Sequence, residues 1–219
     1  MTQFFSVDTL FFTILGYPMS YIEFVGTVLY VWSVWLISQR KMLTWPIGMI
    51  SVVLYMVLFY QIRLYADAAE QIYYLAASVY GWWHWAKGRS TDHSVVEVSY
   101  SSSASAASWA VGTGVGSVVL GVALCRVHLW MPGLFPEEAS FPFLDALTTV
   151  MSFVAMWLMA RKRTESWIYW IIVDVIGIGL YAAKDVKFIS LLYVVLLALA
   201  IRGWIRWMRT NRVDAEAVG

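Results

Sequence analysis

The chain has 219 residues, 61% of them hydrophobic and only 13% charged, with a formal net charge of +1. A soluble domain carries about twice that charged fraction, and no basic patch with interleaved aromatics is present, which excludes a nucleic-acid surface. Several runs approach the roughly 20 apolar residues that cross a bilayer as a helix, and such unbroken runs do not suit the alternating strands of a barrel. Cys125 is the single cysteine, so an internal disulfide is excluded.

Residues 3–17 are apolar but short and hold Asp8, which predicts an interfacial segment, with an extra span as the alternative. No basic n-region precedes them, so no cleaved signal peptide is expected. Seven spans follow, at about 21–38, 45–60, 67–86, 106–124, 142–160, 167–183 and 188–205. Residues 88–105 are polar and serine-rich and read as a linker, while 125–141, with Pro132, Pro136, Glu137 and Glu138, read as a turn-rich loop. Arg40, Lys41, Lys87, Arg89, Arg161, Lys162, Arg163, Arg202, Arg206, Arg209 and Arg212 fall on one side if the spans alternate. Only Arg63, Arg126, Lys184 and Lys187 fall on the other. The positive-inside rule then places the C-terminus in the cytoplasm and the N-terminus outside.

The chain is internally repeated at an offset of about 122. Glu23 matches Asp145, Trp35 matches Trp157, Trp45 matches Trp167, and GWWHW at 81–85 matches GWIRW at 203–207. Each copy holds three spans, so two like-oriented triplets need one helix between them, and the fourth span supplies it. The expected fold is an all-α membrane protein of 3+1+3 helices. It divides into an interfacial segment (1–20), a first triplet (21–87), the linker (88–105), a linking helix (106–124), an outer loop (125–141), a second triplet (142–209) and a tail (210–219). Parallel three-helix repeats belong to transporters that bind cargo near mid-membrane where the repeats meet, and a duplicated scaffold is the plainer alternative. Gly112, Gly116 and Gly121 in the linking helix suit close contact with a neighbouring helix, within the subunit or between subunits.

Asp174 stands in the middle of the sixth span. Trp167, Trp170, Asp174, Gly177 and Tyr181 follow at steps of 3 and 4, on one helical face. A carboxylate in an apolar span normally faces a protein cavity, and flanking indole and phenol rings suit a flat organic cation. In the second span Trp45, Gly48, Ser51 or Val52, Tyr55 and Phe59 form the equivalent stripe. In the third, Asp67, Glu70, Gln71, Tyr74 and Ser78 share a face, Asp67 reading as a helix cap, Gln71 with Tyr74 as the polar contacts, and Glu70 as a pocket group or a partner for Arg63. Tyr193 of the seventh span is placed beside Asp174. Glu23 and Asp145 read as helix-end capping or packing residues, and the tryptophans of GWWHW and GWIRW as an interfacial belt. No metal-ligand cluster, P-loop or nucleophile–base pair is visible, so neither a cofactor nor an enzymatic reaction is expected. A retinal-type sensor would need a lysine within the last span, which has none.

The stretches WPIGMISVVLYMVLFYQIRLYADAAEQIYYLAASVYGWWHW (45–85), ARKRTESWIYWIIVDVIGIGLYAAKD (160–185), DALTT (145–149) and IEFVGT (22–27) resemble the Pnu (PnuC-like) vitamin transporters. The likeness spans about residues 20–209. It implies a SWEET-like 3+1+3 fold in the bacterial inner membrane, a homotrimer in lipid, and facilitated diffusion of an unphosphorylated vitamin precursor that a separate cytosolic kinase traps. The family's nicotinamide-riboside members carry Asn where this chain has Ser51 and Asp174. LYVWSVW at 29–35 and VDV at 173–175 look closer to thiamine-carrying members. Thiamine is therefore the expected cargo, with nicotinamide riboside as the alternative.

Overall fold

The computed structural model describes residues 5–87, 97–133, 140–183 and 185–218, with side chains to Asn211. Among these residues seven helices form: α1 (Tyr21–Ser38), α2 (Thr44–Gln61), α3 (Tyr65–Lys87), α4 (Ser103–Trp130), α5 (Pro142–Ala160), α6 (Ser166–Ala183) and α7 (Lys187–Val218). All but α3 are long and apolar enough to cross a membrane. The 23 residues of α3 cover about 35 Å, long enough to span, but Asp67, Glu70 and Gln71 dilute its apolar character.

The ends of the helices follow from local chemistry. Ser20 caps α1 by accepting the Glu23 N–H at 3.4 Å, and Ser102 caps α4 through the Ser105 N–H at 3.3 Å. That second cap carries α4 back into the serine-rich stretch and past the expected start at residue 106. The C-terminal ends of α1 and α5 share one turn. Arg40 (φ 60°) and Lys162 (φ 62°) adopt the left-handed conformation, and the next residues, Lys41 and Arg163, donate to Leu36 and Leu158 carbonyls at 3.1 and 2.9 Å. The ends of α2 and α6 share another such turn, at Arg63 (φ 63°) and Asp185 (φ 56°). Both pairs are 122 residues apart, so the repeat is written in the backbone as well as in the side chains.

Helices α1, α2 and α3 pack in succession, as do α5, α6 and α7. Contacts of α3 with α5 and of α7 with α1 close these six into a ring, and α4 lies outside it against α5. Gly121 and Gly116 make that approach possible: a Cβ on Gly121 would collide with the Phe143 ring, and one on Gly116 would touch Val150 at 3.4 Å. Around Gly112 there is open space within 4 Å.

Residues 5–20 do not form a span. They fold into an antiparallel hairpin, β1 (Leu10–Ile14) and β2 (Tyr17–Ser20), with Leu15 and Gly16 at positive φ in the two-residue turn. Strands of five and four residues fall short of the roughly nine that cross a bilayer as a strand.

At the other end of the ring, which bears the basic turns Arg40–Lys41 and Arg161–Arg163, four tryptophans form the core. Trp45 meets Trp85 edge-on at 5.3 Å, Trp85 lies 6.1 Å from Trp207, and Trp167 meets Trp207 edge-on at 5.5 Å. Gly81 and Gly203 make room for the Trp45 and Trp167 rings. Trp85 and Trp207 are fully buried, not members of an interfacial belt, because each indole reaches across to the other triplet. Trp85 Nε1 donates to the Ala160 carbonyl at 3.2 Å, and Trp207 Nε1 to the Ile37 carbonyl at 3.3 Å. Their neighbours Trp82 and Trp83 are exposed, as a belt requires.

The described part of the expected linker is an ordered strap. Residues 97–102 cross the α5–α6 turn: Ser99 exchanges backbone bonds with Lys162 and Thr164, and the Arg163 guanidinium holds Ser99 Oγ and the Tyr100 carbonyl at 2.8 and 3.1 Å. The Glu165 carboxylate accepts the Ser101 N–H at 3.1 Å. Burial lowers the Lys162 ammonium from its usual range, with Glu97 pulling the other way. Residues 88–96 of the expected linker, and 134–139 of the expected outer loop, lie outside the described residues.

Candidate functional site

Asp174 points into the ring and is 3% exposed. Among the described residues no ion pair and no hydrogen bond reaches its carboxylate. Phenols of α1 and α7 lie within electrostatic reach of it, and those of α2 and α3 lie within reach of these two. Tyr30 of α1 lies within electrostatic reach of Asp174, Tyr193, Tyr74 and Tyr55. Tyr193 of α7 likewise faces Asp174, Tyr181, Tyr55 and Glu70. The interior therefore gathers groups from α1, α2, α3, α6 and α7. The fifth helix joins through Ser152, which lies beside Tyr74.

Each ring is held by its neighbours. Tyr181 and Tyr193 stack at 5.5 Å, and Tyr193 also lies over Gly177, where a Cβ would sit 2.6 Å from the ring. The Tyr55 hydroxyl bonds with Thr27 Oγ1 at 2.7 Å, and its ring stacks on Phe59 at 5.6 Å. Glu70 accepts from Thr149 Oγ1 at 3.2 Å, tying α3 to α5 instead of pairing with Arg63. Gln71 is half-buried on α3, its amide 3.5 Å from the Asp67 carbonyl one turn earlier. Asp67 lies in the first turn of α3.

Three expected site residues are engaged in packing or in joining helices. Trp45 is 2% exposed and locked in the tryptophan core, because its ring fills the space that Gly81 leaves. Trp170 packs against the same core. Ser51 is buried and donates to the Gly26 carbonyl at 2.8 Å, so its hydroxyl is used in joining α2 to α1. Sequence reasoning also missed Tyr30, Thr27 and Ser152. A signal for them existed: Glu23, Thr27 and Tyr30 run at steps of 4 and 3 along α1, and Asp145, Thr149 and Ser152 repeat the pattern 122 residues later.

At the hairpin end, Tyr17 Oη donates to Glu23 Oε1 at 2.7 Å, and its ring stacks on Phe188 at 5.4 Å. Burial, and then the bond to Glu23, push this phenol well above its ordinary range, so it remains a donor at physiological pH. At the basic end His84 stacks on Tyr80 at 5.6 Å and Tyr80 on Trp157 at 4.9 Å, outside the central cluster.

The interior is thus a buried carboxylate ringed by phenols, in a bundle with apolar outer faces. Residues 20–209 match the family model described as Nicotinamide mononucleotide transporter. The chain belongs to the PnuC-like vitamin transporter family. It is 33% identical over 214 residues to the nicotinamide riboside transporter PnuC of Escherichia coli (strain K12), covering 90% of this chain and 89% of that one. It is 28% identical over 199 residues to the riboflavin/roseoflavin transporter RibM of Streptomyces davaonensis, covering 90% and 88%. Among solved structures, the crystal structure of the vitamin B3 transporter PnuC aligns with a TM-score of 0.67 at 25% identity, over 86% of this chain and 80% of that chain. Like these PnuC-family relatives, the chain is a multi-pass membrane transporter of vitamin-like small molecules and not an enzyme.

Proposed function

We propose that this chain carries a flat, unphosphorylated vitamin cation by facilitated diffusion, with Asp174 as its counter-ion. The observation that carries the reading is a buried carboxylate with no cation or hydrogen-bond donor beside it among the described residues, near phenols whose faces attract positive charge. Tyr30, Tyr55, Tyr74, Tyr181 and Tyr193 form the walls, and Gln71 and Glu70 supply polar contacts towards α3. The two triplets, joined by α4 in a SWEET-like 3+1+3 order, rock against one another to expose the site to each side in turn. The basic end faces the cytoplasm and the hairpin end faces outward, by the charge asymmetry of the loops. A cytosolic kinase traps the cargo, and the transporter assembles as a homotrimer in the inner membrane.

Two cargoes meet this description. The relatives named for nicotinamide riboside move that cation ahead of thiamine. Thiamine is the second reading, and Asp174 favours it: an ionised carboxylate accepts the exocyclic amine N–H of an aminopyrimidine, whereas a carboxamide is served equally by a neutral amide.

Binding and uptake of labelled nicotinamide riboside, thiamine and riboflavin by the purified protein in lipid vesicles test the reading. A cation and carboxylate 4–5 Å apart attract by about 3–4 kcal/mol at an effective dielectric constant near 20, before desolvation is subtracted. Asp174→Asn should therefore weaken the cation that binds by roughly 10- to 100-fold. Thiamine should lose more than nicotinamide riboside. Unchanged affinity for the cation in Asp174→Asn removes the counter-ion role, and preferential transport of neutral riboflavin removes the cation class.

A further inference from the structure

We propose that Tyr17, carried on the β1–β2 hairpin, is the outer wall of the cargo site and closes it by docking on α7. The inference rests on the central site proposed above and adds to it a residue from outside the seven helices.

The hairpin is fastened to the first triplet. β2 runs directly into α1, Ser20 caps that helix, and the Tyr21 N–H donates to the Thr9 carbonyl at 3.3 Å. The Gln61 side chain, at the end of α2, donates to the Phe5 carbonyl at 2.6 Å and accepts the Val7 N–H at 3.1 Å. Tyr17 adds the bond to Glu23 of α1. Across the seam the contact changes in kind: the Tyr17 ring lies on Phe188, in the first turn of α7, at 5.4 Å and an interplanar angle of 18°. Ordered hydrogen bonds therefore hold the hairpin to α1 and α2, while a ring stack bridges to the second triplet. An aromatic pair of this kind shifts an equilibrium by roughly 2- to 12-fold, enough to favour closure and little enough to open repeatedly.

The position suits a wall as well as a latch. The Tyr17 phenol lies within electrostatic reach of Tyr55 and Tyr181. Those two rings border the central cluster, Tyr55 through Thr27 and Tyr181 through its stack on Tyr193. Ala66 stands 122 residues before Phe188, so the α3–α5 seam offers no ring at the equivalent place. The hairpin therefore covers one of two otherwise similar seams.

The test uses the full-length protein in nanodiscs and two readouts. The first is the release rate of whichever of nicotinamide riboside, thiamine or riboflavin the parent binds. Tyr17→Ala and Phe188→Ala should each speed release about fivefold or more, and Tyr17→Phe, which keeps the ring, should restore slow release. The second readout needs no cargo. With Cys125→Ser removing the native thiol, a reporter introduced as Tyr181→Cys is labelled with a bulky charged maleimide. Adding Tyr17→Ala should raise the labelling rate about fivefold, and adding Tyr17→Phe should not. Labelling that stays equal to the Tyr17 parent in a monodisperse Tyr17→Ala protein overturns the proposal, as does release unchanged by both alanine variants. If the parent binds none of the three cargoes, the cargo reading has failed and the labelling result alone decides the wall.

Discussion

Gly203→Ala probes the packing at the basic end of the ring. The added methyl carbon would lie 2.6, 2.7 and 2.7 Å from three ring carbons of Trp167, against ordinary contact that begins near 3.4 Å. The indole must retreat by about 0.8 Å, the difference between 3.4 and 2.6 Å. It has nowhere to go. Trp167 is 1% exposed and sits edge-on against Trp207 at 5.5 Å. Overpacking of this kind costs about 1–3 kcal/mol. Alanine at the same time relieves the entropy penalty of a helical glycine by about 0.5–1 kcal/mol. Gly112→Ala isolates that second effect, since nothing lies within 4 Å of its added carbon. Subtracting the two variants leaves the clash, about 1–3 kcal/mol, or roughly 2–12 °C in melting temperature for a chain of this size. Thermal unfolding of both variants in one detergent measures it. If Gly203→Ala melts level with Gly112→Ala or above it, the core has slack and the reasoning is refuted.

Other outcomes follow from the same contacts. Trp85→Phe and Trp207→Phe should each lower stability by about 1–3 kcal/mol. The double variant should depart from their sum by at least about 0.5 kcal/mol, because the rings touch; strict additivity in thermal unfolding refutes the coupling. Ser51→Ala should cost about 0.5–1.5 kcal/mol by losing the bond to the Gly26 carbonyl, and an unshifted melting curve would count against that bond. Arg63→Gly should raise stability by about 0.5–1 kcal/mol, since Arg63 is exposed and holds φ 63°; a lower melting temperature shows that the arginine side chain contributes something the turn does not.

Much of the frame can be read from the chain. The apolar runs at 21–38 and 142–160 coincide with α1 and α5, because an abrupt polarity change and a left-handed turn end each helix at the same place. The inward position of Asp174 follows from the cost of a carboxylate facing lipid. The tryptophans were less legible. Periodicity puts Trp45 on the face of α2 that looks inward, but it cannot say whether a ring lines a void or fills one, and the glycine that decides this, Gly81, lies on another helix. Tyr30 was hidden for a related reason: in LYVWSVW nearly every residue suits a membrane, so its polarity shows only beside Glu23 and Thr27. The hairpin escaped because strands of four and five residues carry too few alternations to be told from an apolar lead-in.

The paired indole bonds at the basic end have a mechanical consequence. The last helix of each triplet grips the first helix of the other, Trp85 on Ala160 and Trp207 on Ile37, so the two grips mirror one another across the same gap. A movement that parts the triplets there stretches both at once. Removing either indole would therefore leave the other bond alone to hold the triplets together at that end.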